Sequence, residues 1–169
     1  MDDTAAKIEE IRSDIKMHIE NQMIARGFSA ATVLYNNTQL VLRGRRSGRV
    51  YKIPDTYDKH MSKATKAMKK EYGHQLRGGV LYRASAPGEP PANRKGIFCE
   101  SWRPETHTEG VGDNIEVHSS AVSTYSVGGR VLGRMLQNGT KKVAPRPYME
   151  KVREKSKKQI YHIYSRPYF

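Results

Sequence analysis

Six histidines, one cysteine and one proline-flanked glutamate are the residues of this chain whose types could carry chemistry. Histidine and cysteine hold metal ions or move protons, but a metal site needs them at short, repeated spacings. His18, His60, His74, His107, His118 and His162 stand far apart, and none has a His or Cys partner at ligand spacing. The pattern predicts scattered histidines and no metal. Cys99 lies beside Phe98, which suits a small packed side chain better than a nucleophile. As the single cysteine it excludes an internal disulfide and a Cys-based zinc cluster. Glu89 sits among prolines and resembles an isolated general acid, but its own motif holds no second carboxylate. Gly128-Gly-Arg-Val-Leu-Gly133 has glycines like part of a dinucleotide fingerprint, without the full spacing or the strand–turn–helix unit, and reads as a plain turn. No acid–base pair or activated nucleophile can be named. The residues point away from an enzyme and require no cofactor.

Charge offers more. Thirty Lys and Arg against 17 Asp and Glu give a net +13, a balance that suits a negatively charged partner, either nucleic acid or an acidic protein surface. The basic residues cluster between Arg43 and Arg77 and again between Lys141 and Lys158, whereas the start of the chain is acidic. Such an arrangement also lets copies of the chain stack on one another. Two stretches could bind phosphate together: the loop with Arg45, Arg46 and Arg49, and the lysine-rich run from Lys59 to Lys70. Only Tyr51 and Tyr57 lie nearby as stacking rings, so base recognition has little support, and a solvated or salt-bridged basic face is the simpler reading.

The elements that would position these groups follow from periodicity and punctuation. Ile8, Ile11, Ile15, Ile19 and Met23 recur at steps of three and four and predict an amphipathic helix from about Thr4 to Arg26, stopped by Gly27. A short helical stretch from Ser29, a turn at Asn36-Asn37 and a strand from Thr38 to Arg43 follow. Val50 to Ile53 is extended, Asp55 caps a helix reaching about Tyr72, and Gly78 to Tyr82 forms a strand. The Arg83–Gly96 segment is fixed by Pro87, Pro90 and Pro91, with Pro87-Gly88 placed for a type II turn. Ile97 to Arg103 reads as extended, Asn114–His118 and Ala121–Tyr125 as paired strands, and Val131–Leu136 as either helix or strand. Gly139-Thr140 is a turn. Pro145 and Pro147 stiffen a second connector, with Pro147 in the first turn of a terminal helix. Tyr161, Tyr164, Tyr168 and Phe169 make an aromatic tail that needs a surface to dock on. The acidic N-terminus is unlike a signal peptide. No apolar run reaches the ~18 residues of a membrane span, so no membrane partner is expected.

Three ordered pieces then carry a resemblance: Ser47-Gly-Arg-Val-Tyr51; Ala84-Ser-Ala-Pro-Gly-Glu-Pro-Pro-Ala92 followed by Gly96; and Gly139-Thr140 with Ala144-Pro-Arg-Pro-Tyr148. Together they resemble the tail-component and neck (head–tail joining, tail-completion) proteins of long-tailed bacteriophages, over about residues 47 to 150. Departures are Arg94-Lys95-Gly96 after the proline segment and a longer Pro54–Leu81 stretch. The resemblance implies an α+β subunit in one domain, 1–169, with a long N-terminal helix and a C-terminal helix packed on a small, mostly antiparallel sheet. Its segments are the N-terminal helix (1–27), a basic arm or hairpin with an inserted helix (38–82), the proline-rich connector (83–96), strands (97–140), and the C-terminal helix with the aromatic tail (144–169). It further implies a homo-oligomeric ring, a hexamer, located in the virion and assembled in the host cytoplasm. Its partners would be adjacent neck, portal-side and tail-tube proteins, with non-specific contact to DNA in the channel. On this reading Arg45, Arg46, Arg49, Tyr51, Pro87, Glu89, Pro90, Pro91, Arg146, Tyr148, Tyr164 and Phe169 meet neighbours, while Gly88, Gly96, Gly139, Thr140, Pro145 and Pro147 shape turns. A basic cytoplasmic nucleic-acid-binding protein is the alternative.

Overall fold

A computed structural model describes residues 2–54, 79–92, 96–111, 114–141 and 143–169. The fold is α+β, with a long N-terminal helix, a C-terminal helix and small antiparallel strand pairs. Helix α1 runs over Asp2–Arg43, 42 residues, about 63 Å at 1.5 Å per residue. It passes straight through three expected breaks: the stop at Gly27, the turn at Asn36-Asn37 and the strand at Thr38–Arg43.

Each break is overridden by packing. Gly27 serves close approach rather than termination. A Cβ there would lie 2.4 Å from Val117 Cγ1 and 3.0 Å from Thr106 Cγ2, and the Ser119 hydroxyl donates to the Gly27 carbonyl at 2.9 Å. Asn37 is buried and donates from Nδ2 to Ser156 Oγ (3.0 Å) and Gln159 Oε1 (2.9 Å) on the C-terminal helix. Thr38, Thr32 and Ser29 turn their hydroxyls back to carbonyls four residues earlier, which keeps them compatible with helix. Val41 and Leu42, placed in the expected strand, are instead adjacent core residues at the end of α1.

Beyond α1, strands β1 (Val50–Pro54) and β2 (Gly79–Arg83) pair antiparallel, from Val50 opposite Arg83 to Pro54 opposite Gly79. The expected helix from Asp55 to Tyr72 lies outside the described residues. Ile97–Arg103 is not one extended run: Ile97–Glu100 is a single helical turn, α2, and the strand β3 (Trp102–Val111) begins after it. Nor do Asn114–His118 and Ala121–Tyr125 pair with each other. Asn114–Ser123 is one strand, β4, whose whole length pairs with β3, from Trp102 opposite Ser123 to Val111 opposite Asn114. Ser119-Ser120, read as a turn, is strand because Ser119 faces α1.

Strands β5 (Ser126–Val127) and β6 (Arg130–Val131) flank Gly128 and Gly129, whose φ values of 58° and 74° suit a two-residue hairpin turn. Leu132–Asn138 is helix α3, and Met149–Tyr164 is helix α4. Helix α4 begins two residues later than expected, so Pro147 precedes the N-cap Tyr148 rather than filling the first turn. The free N–H groups there are met by Gln137 Oε1 of α3, which accepts from Tyr148 (3.0 Å) and Met149 (3.2 Å).

The core gathers Val41, Leu42, Cys99, Trp102, Tyr148 and Val152, from α1, α2, β3, the second connector and α4. Phe98, Trp102 and Tyr148 meet edge-to-face with centroids 5.8–6.0 Å apart, the arrangement that aromatic quadrupoles favour. Among the described residues no helix is long and apolar enough to cross a membrane.

Candidate assembly surface

The three resembling pieces converge at the end of α1. Helix α1 stops at Arg43 with its last carbonyls open, and the loop that follows turns Arg46 back over them. Arg46 Nη2 donates to the Val41 (2.8 Å) and Leu42 (3.0 Å) carbonyls, and to that of Pro91 (3.0 Å). Nη1 donates to the Gly44 and Arg45 carbonyls. A guanidinium at a helix C-terminus also complements the helix dipole. One arginine therefore caps α1 and ties it to the proline segment.

Glu89 fastens the same loop from the other side. Pro87-Gly88 forms the expected turn: Gly88 has φ 75°, and the Glu89 N–H donates to the Ala86 carbonyl at 3.1 Å. The Glu89 carboxylate accepts from the Ala86 N–H (2.8 Å), the Ser47 hydroxyl (2.8 Å) and the Ser47 N–H (3.1 Å). These hydrogen bonds, foremost that from the Ala86 N–H and then that from the Ser47 hydroxyl, pull its pKa down from 4.5 to about 2. Gly48 is needed because a Cβ there would come within 2.5 Å of the Ala84 carbonyl oxygen. The Ala84 N–H donates to the Arg49 carbonyl at 2.9 Å, directly below the β1–β2 pair.

Arg146 closes the arrangement from the C-terminal side. Its Nη1 donates to the Ser85 (2.6 Å) and Ala86 (2.7 Å) carbonyls, and its N–H donates to the Leu136 carbonyl (2.7 Å). Gly139, with φ 75° and Pro145 Cδ within 2.9 Å of any Cβ, and the Thr140–Val143 bridge shape the approach to it. Gly96, with φ 82°, is the N-cap of α2. The result is a clamp of Arg46, Ser47, Glu89 and Arg146 at the base of the β1–β2 hairpin. These contacts hold the loop after α1, the proline turn and the second connector together.

Compared with models of protein families, with curated proteins and with solved structures, the chain matches none.

The other residues expected to meet neighbours are distributed as follows. Arg45, Arg49 and Pro87 are exposed around the clamp. Pro90 and Pro91 are buried within the chain, and Tyr148 is 2% exposed in the aromatic core. Each is largely covered within this chain, with Tyr148 also lining the groove between α1, the β3–β4 pair and α4. Burial also raises the Tyr148 hydroxyl pKa to about 12. The Tyr51 backbone pairs opposite Tyr82.

Tyr164 is partly exposed beside Ser119, and Phe169 stacks on His18 at 5.4 Å. With them the aromatic tail lies back along α1. Arg26, 7% exposed, donates to the Arg166 (2.7 Å) and Pro167 (2.6 Å) carbonyls and sits 3.9 Å from the centroid of the Tyr168 ring. Arg26 was not singled out in the sequence, where it reads as one more surface cation. Among the described histidines, β3–β4 pairing sets His107 opposite His118 on an exposed face. No group of three ligating side chains able to hold a metal occurs among the described residues.

A groove of about 550 Å³ runs between α1, the β3–β4 pair and α4. Its lining is mostly apolar, with Arg153 and Lys157 on its rim. Ile8, Ile11 and Ile15, the stripe read as core-facing, are 62%, 59% and 45% exposed. The N-terminal part of α1 is a helix as expected, but it extends past its own body as an arm.

Proposed function

We propose that this chain is a structural virion subunit that forms a closed, sixfold ring in the neck of a long-tailed bacteriophage, where it completes the tail and joins it to the DNA-filled head. The observation that carries this reading is the convergence of the three resembling motifs. Ser47–Tyr51, Ala84–Ala92 and Ala144–Tyr148 are far apart in sequence, yet Glu89 and Arg146 bind them into one clamp. A clamp at the base of the β1–β2 pair fixes where that pair leaves the body, which suits a subunit that must meet a neighbour at a set angle. The small core and exposed apolar arm also suit burial between subunits.

Native mass spectrometry of the full chain, alone and with its phage neighbours, tests the reading. A ring that binds portal-side or tail proteins is the expected result. A chain that stays monomeric and binds neither would overturn it. Imaging of particles lacking the protein separates the roles, since filled tailless heads and overlong tails indicate different steps.

The alternative, a basic nucleic-acid-binding protein, draws on the net +13 and on exposed Arg45 and Arg49. It predicts DNA affinity that falls steeply with salt and is lost on replacing Arg45 and Arg49 with Ala, with Arg46 kept because it caps α1.

A further inference from the structure

We propose that the groove between α1, the β3–β4 pair and α4 receives the N-terminal arm of α1 from a second copy of this chain. The proposal deepens the ring reading above and rests on it, by naming the surface through which one subunit holds the next.

The arm offers a stripe that its own subunit leaves uncovered. Ile8, Ile11 and Ile15 follow the three-then-four spacing of one helix face, and all three are exposed. The groove offers the complementary apolar floor, from Leu34, Trp102, Val152 and Ile160. Trp102 is 8% exposed, and its indole N–H has no acceptor.

Charge selects the occupant. Residues 2–20 hold six Asp and Glu against three Lys and Arg, a net −3. Helix α4 holds five Lys and Arg against two Glu, a net +3, and Arg153 and Lys157 stand on the groove rim. An arm paired with another arm would set like net charges together, whereas an arm in the groove joins opposite ones.

Geometry makes the contact intermolecular. Helix α1 is continuous and Leu34 belongs to the groove wall, so Ile11 lies about 34 Å farther along the same rod at 1.5 Å per residue. The arm cannot fold back into its own groove. Lengths agree as well: Ile8 to Ile15 covers about 10 Å and Val152 to Ile160 about 12 Å on the same rise. Arm and groove are different surfaces, so the contact is head-to-tail and propagates until rotation closes it.

Photocross-linking of the full chain tests the proposal. p-Benzoylphenylalanine is placed at position 11 in isotopically light chain, mixed with heavy chain lacking it, and the cross-linked peptides are mapped. The expected products join position 11 to the heavy-chain segment 149–161. Arg153→Glu with Lys157→Glu, both on exposed positions, should reduce that yield roughly tenfold. Ile8→Ser with Ile15→Ser, far from the core, should do the same. Cross-links confined to arm–arm pairs, or undiminished by these changes, would overturn the arm-in-groove contact. If native mass spectra still showed a ring in that case, the ring reading would stand without it. A monomer in every condition would overturn both.

Discussion

Replacing Gly27 with Ala has an effect whose sign depends on why the glycine is there. In a free helix interior the change stabilises by about 1 kcal/mol, because alanine loses less backbone entropy. In this chain the new methyl would sit 2.4 Å from Val117 Cγ1 and 3.0 Å from Thr106 Cγ2, against an optimum near 3.5–4.0 Å for carbon pairs. Val117 is β-branched and held in a paired strand, so it cannot swing aside. Overpacking of this kind costs about 1–3 kcal/mol, and it should bring some loss of the Ser119-to-Gly27 hydrogen bond. The net expectation is destabilisation by about 1–2 kcal/mol, or roughly 2–8 °C in Tm for a chain of this size. Urea titration followed by far-ultraviolet circular dichroism, at one fixed protein concentration, measures it. Adding Val117→Ala should recover part of the loss, with a coupling of about 1 kcal/mol in the double-mutant cycle. A Tm that rises in Gly27→Ala alone would refute the close-approach account and return Gly27 to the role of a helix weakener.

Glu89→Gln tests the clamp through pH. The folded pKa of Glu89 lies near 2, below its usual 4.5, so its stabilisation is fully present above about pH 4.5 and is lost as pH falls towards 2. The stability gap between wild type and Glu89→Gln should therefore be constant near neutrality and shrink over that acid window, as denaturant titrations at several pH values would report. Asn37→Ala leaves the Ser156 hydroxyl buried without its α1 partner and should cost about 1–3 kcal/mol in urea midpoint measurements. Arg26→Gln removes the two carbonyl contacts and the Tyr168 stack, so carboxypeptidase should trim residues 166–169 several-fold faster while far-ultraviolet dichroism stays unchanged. Cys99 is 2% exposed and its thiol pKa is raised by burial. Dithionitrobenzoate should label it only on unfolding, and prompt labelling of the native chain would contradict the core described above.

Periodicity located both helices, and proline and glycine chemistry located the turn at Pro87-Gly88, because those signals act within a few residues. The extent of α1 was illegible for a physical reason. Gly27, Asn36-Asn37 and Thr38–Arg43 all read locally as breaks in the helix, and distant partners overrule them: Val117 and Ser119 for Gly27, Ser156 for Asn37, and Tyr148 and Val152 for Val41 and Leu42. The isoleucine stripe shows the converse. Its spacing specifies a helix face but does not say which molecule covers that face. At the clamp, Glu89 was legible as a turn residue, whereas Arg46 as a helix cap and Arg26 as the anchor of the tail were not, since a surface arginine and a structural arginine look alike in one dimension.

The order in which the core is completed bears on how the chain is made. Val41 and Leu42 reach the end of α1 early in synthesis, but Tyr148 and Val152, which enclose them, emerge roughly a hundred residues later. Until α4 arrives, the second half of α1 has no helix to dock on and Asn37 has no Ser156. A nascent or truncated chain would thus display its acidic arm before it owns a groove. Under the arm-in-groove contact proposed above, such a fragment would enter a finished copy without offering a groove to the next, so that contact favours finishing each chain before chains meet.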